Sequence, residues 1–168
     1  QKIWTKYGSQ KTQDFIDNLQ HLILQFLMGY GFTLSIKDAV VSKKIKNSVY
    51  KIIETKRREV VGSITEYEND PYVMTSEAFE VSIRENLRSV QGEIEKIMMN
   101  NFTPDNGMYI TISSASSGTS LNAGQIIGCV GQTIVEGRRI QKKFNNRTLP
   151  TYHQHDDTAF ARGFIYNS

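Results

Sequence analysis

The sequence predicts a mainly α fold with a small α+β part: a long antiparallel helical hairpin, then a short strand and helix, then an irregular C-terminal segment. Apolar residues recur at spacings of three and four along three stretches, the repeat of helices with one buried face. The second and third stretches carry thin apolar stripes among many charges, which suits two helices packed on each other. Composition then changes at "NNFTPDNG", residues 100–107, a run of turn formers that divides the chain into 1–104 and 105–168.

In the first stretch Phe15, Ile16, Leu19, Leu22, Ile23, Phe26 and Leu27 predict an amphipathic helix over residues 10–28, which Gly29 and Gly31 end. "FTLSIKDAVVS" alternates apolar and polar residues over Phe32, Leu34 and Ile36 and predicts a short extended stretch. Ser42 is placed to cap a second long helix, whose stripe is Ile45, Val49, Ile52, Ile53, Val60 and Ile64. "NDPY", 69–72, reads as a turn, because proline restricts the residue before it and Asn and Asp bond their own backbone. A third helix is expected over 76–100, with Phe79, Ile83, Leu87, Val90, Ile94, Ile97 and Met98 at helical spacing. Helices two and three together predict a hairpin that projects from a body.

Beyond the boundary, "MYITISS" alternates with β-branched residues and predicts a strand. "SSASSGTSLN" supplies hydroxyls to cap a helix over 122–136, and the rest is predicted irregular.

At 168 residues, 39% of them hydrophobic, the chain can bury one sizeable core but not two full domains. A net charge of +3 is weaker and more scattered than a nucleic-acid binder usually carries. The basic run "KRR" at 56–58, with Lys43, Lys44, Lys46 and Lys51, is diluted by Glu54, Glu59, Glu66 and Glu68, so it reads as a solvated face or a partner-binding one. One cysteine, Cys129, excludes a disulfide framework and favours a reducing compartment; within an apolar stripe it reads as a small buried hydrophobe. No run of eighteen apolar residues occurs and the N-terminus lacks a signal peptide's apolar centre, so no membrane contact is expected. The start without Met and the stop at "FIYNS" are what a piece of a longer chain would show.

No catalytic constellation emerges. His153, His155, Asp156 and Asp157 follow one another in one loop, with no second ligand pair at helical spacing, so no metal site is expected. "SSASSGTS" lacks the lysine and paired glycines of a phosphate loop, and Ser116 lacks the flanking glycines of a nucleophile elbow.

What remains is pattern. "SSGTSLNAGQIIGCVGQTIVEGRRI", followed by "RTLP", "HDD" and "ARGFIYNS", resembles the largest subunit of multisubunit DNA-directed RNA polymerases of the eukaryotic, archaeal and large-virus type. That family carries S-K-G-S-x-x-N-x-x-Q-x-x-x-C-V-G-Q-x-x-V-E-G-K-R-I in the same register, then R-T-L-P and R-G-F-x-x-N-S, just before its bridge helix. Upstream, "YGSQKTQDFIDNLQHLILQFLMGYGFTLSIKDAV" is similar to the opening of the family's funnel, and the charged hairpin to its two long helices. The likeness is strong over 108–168 and weaker over 42–104.

The resemblance implies that residues 1–104 are funnel helices and 105–168 the cleft segment leading to the bridge helix. It implies that Asn122, Gln125, Cys129, Gly131 and Gln132 lie on a helix supporting the bridge helix beside the secondary channel, through which NTPs come in and backtracked RNA leaves. Gly128 and Gly131 would admit a close neighbouring helix, while Glu136, Arg138 and Arg139 fix a charged corner around Gly137, which packing alone would read as a helix C-cap. In nuclear relatives this surface forms the amatoxin pocket. Ser116, Ser117 and Gly118 would form a channel loop facing the triphosphate or RNA 3′ end. There the family usually has Lys or Arg where this chain has Ser117, which removes a charge-assisted contact.

The implied partners are the rest of the largest subunit, the second-largest subunit, DNA template and a transcript-cleavage factor at the funnel. The implied location is the nucleus, or cytoplasm or virion for a viral enzyme. The family's magnesium-binding aspartates fall outside this segment, which by itself should bind no cofactor and be inactive. Two other readings compete: a free-standing helical-hairpin interaction module, in which the polar segment 141–168 should be disordered, and a nucleic-acid-binding helical domain using "KRR" and "RRIQKK".

Overall fold

A computed structural model describes residues 1–72 and 74–167. The chain forms two compact units, Gln1–Ser35 and Ile36–Ser168. It is mainly helical, with a few two-residue antiparallel strands.

The first unit is one helix, α1 (Lys2–Tyr30), longer than the predicted 10–28 and broken in path only at Gly8. Gly31, at φ 71°, ends it and donates its N–H to the Leu27 carbonyl at 2.7 Å. None of its residues is buried, so the stripe from Phe15 to Leu27 is amphipathic yet uncovered.

The second unit is built on the hairpin of α2 (Lys43–Asn69) and α3 (Ser76–Asn101). The Ser42 hydroxyl caps α2 by accepting from Ile45 N, and Thr75 caps α3 by accepting from Ala78 N at 3.2 Å. Between them the Asp70 carboxylate accepts from Tyr72 N at 3.2 Å, the expected local turn. Val49, Ile53, Val60 and Ile64 of α2 meet Phe79, Ile83, Leu87, Val90, Ile94 and Met98 of α3. Burying a side chain such as Leu87 stabilises by about 2 kcal/mol. Cys129, Ala159 and Phe164 belong to the same core. The hairpin is therefore one wall of the body and does not project from it, because α3 has covered residues on a second side as well.

Two local expectations are corrected. "MYITISS" is helical, α4 (Gly107–Ser113), despite its β-branched residues. Its first amides are satisfied from outside: Asp38 Oδ1 accepts from Gly107 N at 3.1 Å and Asn106 Oδ1 from Tyr109 N at 3.0 Å. Those bonds override a strand propensity worth only fractions of a kcal/mol per residue. "FTLSIKDAVVS", predicted extended, instead carries a 3-10 turn at Ile36–Ala39, which delivers Asp38 to α4.

The helix expected over 122–136 is α5 (Ser120–Ile127), and it stops nine residues early. Gly128 leaves helical geometry at φ −99°, ψ −89°, and Gly131 is left-handed at φ 86°. The chain then forms β1 (Gly131–Gln132), β2 (Ile134–Val135) and β3 (Arg138–Arg139), and later β4 (Phe164–Ile165). β1 pairs with β4 in the register Gly131↔Ile165, and β2 with β3 in the register Val135↔Arg138. Glu136 and Gly137, at φ 52° and 76°, are the two central residues of the β2–β3 turn. Gly137 is thus a hairpin-turn glycine, not a helix cap, and Cys129, Gly131 and Gln132 lie beyond the helix.

Candidate functional site

The segment 116–140 is fastened along one polar stripe of α3. Glu80, Arg84, Gln91 and Glu95 fall within about 60° of one another on a helix of 3.6 residues per turn. Each holds a successive point of the segment in reverse order. Glu95 accepts from the Ser120 hydroxyl at the start of α5. Gln91 Nε2 donates to the Val130 carbonyl at 2.6 Å, and Arg84 Nη1 to the Gly137 carbonyl at 2.7 Å. Glu80 takes Arg139, whose Nε and Nη2 reach its two carboxylate oxygens at 2.9 and 3.0 Å.

Close approach makes these bonds possible. A Cβ on Gly124 would stand 3.6 Å from the Glu95 backbone, one on Gly128 would meet Ile94 Cγ2 at 2.5 Å, and one on Gly131 would meet the Gln91 side chain at 2.6 Å. At Gly128 and Gly131 the close neighbours are thus the Ile94 and Gln91 side chains of α3.

The corner after Gly137 is a charge network. Arg162 stands 3.2 Å from Glu80 and also pairs with Asp157, while Lys142 reaches Asp157 at 2.7 Å. Arg139 additionally donates to the Asp157 carbonyl at 3.0 Å, and Arg162 Nε to the Ile140 carbonyl at 2.7 Å. Burial would raise the Glu80 pKa, but the hydrogen bonds and charge of Arg139, with the charge of Arg162, outweigh it and hold the carboxyl below its ordinary value. Burial pushes the Cys129 thiol up to about 11, against a smaller opposing effect of the Gly131 backbone.

The twelve predicted site residues separate by environment. Cys129, Gly131 and Arg139 are buried, so they pack and pin and present no outer surface. Gln125 and Gln132 are half-buried; Gln132 Nε2 donates to the Arg162 carbonyl at 2.8 Å and ties β1 to the last segment. Asn122 is exposed, and its Oδ1 accepts from Thr119 N at 2.8 Å to close a capping box. Ser116, Ser117, Gly118, Glu136, Gly137 and Arg138 are exposed. Arg138 faces Glu77 at 3.8 Å, a solvated pair, and among the described residues Glu136 has no ion pair. An open cavity of about 420 Å³ lies between Glu77, Glu80 and Arg84 on one side and Glu136, Gly137 and Arg138 on the other.

Sequence reasoning missed Glu80, Arg84, Gln91, Glu95 and Arg162, and weighed Asp157 only as a metal ligand, whereas it pairs with Lys142 and Arg162. The signal for the first four was their common face beside the apolar stripe of the third helix. Among the described residues no group of three or more His, Cys, Asp or Glu side chains could hold a metal ion. No helix among them is long and apolar enough to cross a membrane. Ser168, the last residue of the "ARGFIYNS" pattern, lies outside the described residues.

A family model described as RNA polymerase Rpb1, domain 4, matches residues 64–165. DNA-directed RNA polymerase subunit 1 of Acanthamoeba polyphaga mimivirus is 58% identical over 168 residues, which is 100% of this chain and 11% of that protein. Subunit Rpo1N of Halobacterium salinarum is 29% identical over 96% of this chain and 17% of its own length. DNA-directed RNA polymerase III subunit rpc1 of Schizosaccharomyces pombe is 27% identical, over 96% and 12%. The chain thus spans between 11% and 17% of the length of these relatives.

Proposed function

This chain belongs to the RNA polymerase Rpb1 domain 4 family, as a fragment of a polymerase largest subunit, and from that premise we propose that it forms a wall of the secondary channel in a DNA-directed RNA polymerase. In this reading residues 1–104 are funnel helices and 105–168 the cleft segment. The wall guides NTPs inward and backtracked RNA outward past Ser116, Ser117 and Gly118, and supports the bridge helix during templated RNA synthesis. The free end of the hairpin, near Pro71 and Tyr72, receives a transcript-cleavage factor. Catalysis and magnesium binding belong to other parts of the enzyme, and the segment is inactive alone. The enzyme works in a nucleus, or in the cytoplasm or virion of a viral system.

The observation that supports this best is the two-sidedness of α5. Ala123 and Gly124 are buried against α3, whereas Leu121 and Ile126, on the two flanks turned away from it, stay exposed at 39% and 54%. A helix braced from behind with apolar side chains left outside suits a support for a further element, here the bridge helix. The uncovered stripe of α1 likewise suits enclosure by the rest of the largest subunit.

A photo-crosslinking residue in place of Ser117, in the assembled enzyme, tests the placement. Crosslinks to the RNA 3′ end in backtracked complexes are expected. Crosslinks to protein alone, in complexes proven to be backtracked, would contradict it.

A further inference from the structure

The Ser116–Gly118 loop is an exposed arch with two fixed feet. On one side the Thr111 carbonyl accepts from Ser116 N at 3.1 Å, Ser117 N at 3.3 Å, Ser116 Oγ at 3.1 Å and Ser114 Oγ at 3.3 Å. On the other side Thr119 and Asn122 lock the first turn of α5, and the Ser120 hydroxyl donates to the Glu95 carboxylate across 25 residues of chain. Glu95 is the tie between that second foot and α3, at the point where the two helix backbones come closest around Gly124.

We propose that Glu95 is a positioning residue: through Ser120 it sets where the arch stands, and so how the arch meets the phosphate-bearing group of a nucleotide in the channel. This rests on reading the arch as channel wall. Ser117 gives the arch a hydroxyl and no charge. A cation acts on a phosphate over several ångströms, whereas a neutral hydrogen bond weakens steeply once its distance and angle drift. An arch that works by hydroxyls therefore depends on its feet more than one that carries lysine.

The test uses the assembled enzyme containing the full-length parent chain, with Glu95→Ala, Ser120→Ala, the double variant and Glu95→Gln, and the exposed Glu93→Ala as control. The KM and kcat for single-nucleotide addition and the rate of cleavage of backtracked RNA are measured on each. Both single alanine variants should raise the nucleotide KM roughly three- to tenfold with kcat little changed. The same loss confined to RNA cleavage would name the RNA 3′ end as the group contacted. The double variant should be no worse than either single one, and Glu95→Gln, which keeps an acceptor for Ser120, should return to within about twofold of the parent. General structural damage would lower kcat through loss of active enzyme and would not spare Glu95→Gln. Parent-like values in both assays for Glu95→Ala, or additive effects in the double variant, would overturn the proposal. An assembly that, without any substitution, incorporates no templated nucleotide would overturn the channel reading itself.

Discussion

Arg139 grips Glu80 with two nitrogens, Nε at 2.9 Å and Nη2 at 3.0 Å, and so joins β3 to α3 across 59 residues of chain. The Arg139 side chain is wholly buried, and Arg162 shares the same carboxylate. This pair pins the charged corner, and with Arg84 on the Gly137 carbonyl it fixes the β2–β3 turn to the hairpin.

Removing Arg139 should be costly. A buried pair broken from one side leaves a carboxylate short of partners, and Arg139→Ala should lower stability by about 3 kcal/mol in urea unfolding. Arg139→Lys keeps the charge but not the two-pronged fit and should recover only part of the loss.

The same carboxylate sets an acid response. Because the folded Glu80 pKa is lowered, its contribution is present above the unfolded value near ~4.3 and is lost as pH falls through the folded one. Urea midpoints should therefore drop from pH 5 towards pH 2, and Glu80→Gln, less stable at neutral pH, should show a smaller drop over that window.

Two glycines four residues apart should respond unequally. Gly128→Ala would place its Cβ 2.5 Å from Ile94 Cγ2 and 2.8 Å from the Gly124 carbonyl, and should cost about 1–3 kcal/mol. Gly124→Ala meets its nearest atoms at 3.6 Å, ordinary contact, and should change the urea midpoint much less.

Cys129 is 1% exposed, with its thiol pKa pushed up to about 11. Little thiolate exists at pH 8 and none of it is accessible, so alkylation by iodoacetamide should be slow in the folded chain and fast in urea. Equal rates in the two states would show that this part of the core is open.

The hairpin was legible because burial of Phe79, Ile83, Leu87, Val90, Ile94 and Met98 is written directly in their spacing, and Ser42 announces its own helix. α4 was not legible, since its helix depends on Asp38, 69 residues before the Gly107 amide it holds. The end of α5 was misplaced because apolar spacing continues past Gly128, where the close presence of Ile94 decides the matter. Arg139 could be seen as a corner residue, but its partner is a glutamate on a distant helix face that resembles any solvated charge until the chain is folded. The motif register around "CVGQ" carried the family, while burial of Cys129, Gly131 and Arg139 shows that part of the motif serves packing against α3.

The central claim is that this chain works within a DNA-directed RNA polymerase. The most direct measurement is purification of the tagged full-length parent from its source, with identification of partners by mass and an assay of template-directed nucleotide incorporation. The account predicts co-purification of a second large subunit together with incorporation. A parent chain that purifies without a large partner and incorporates nothing would contradict it, and would favour a free-standing interaction module.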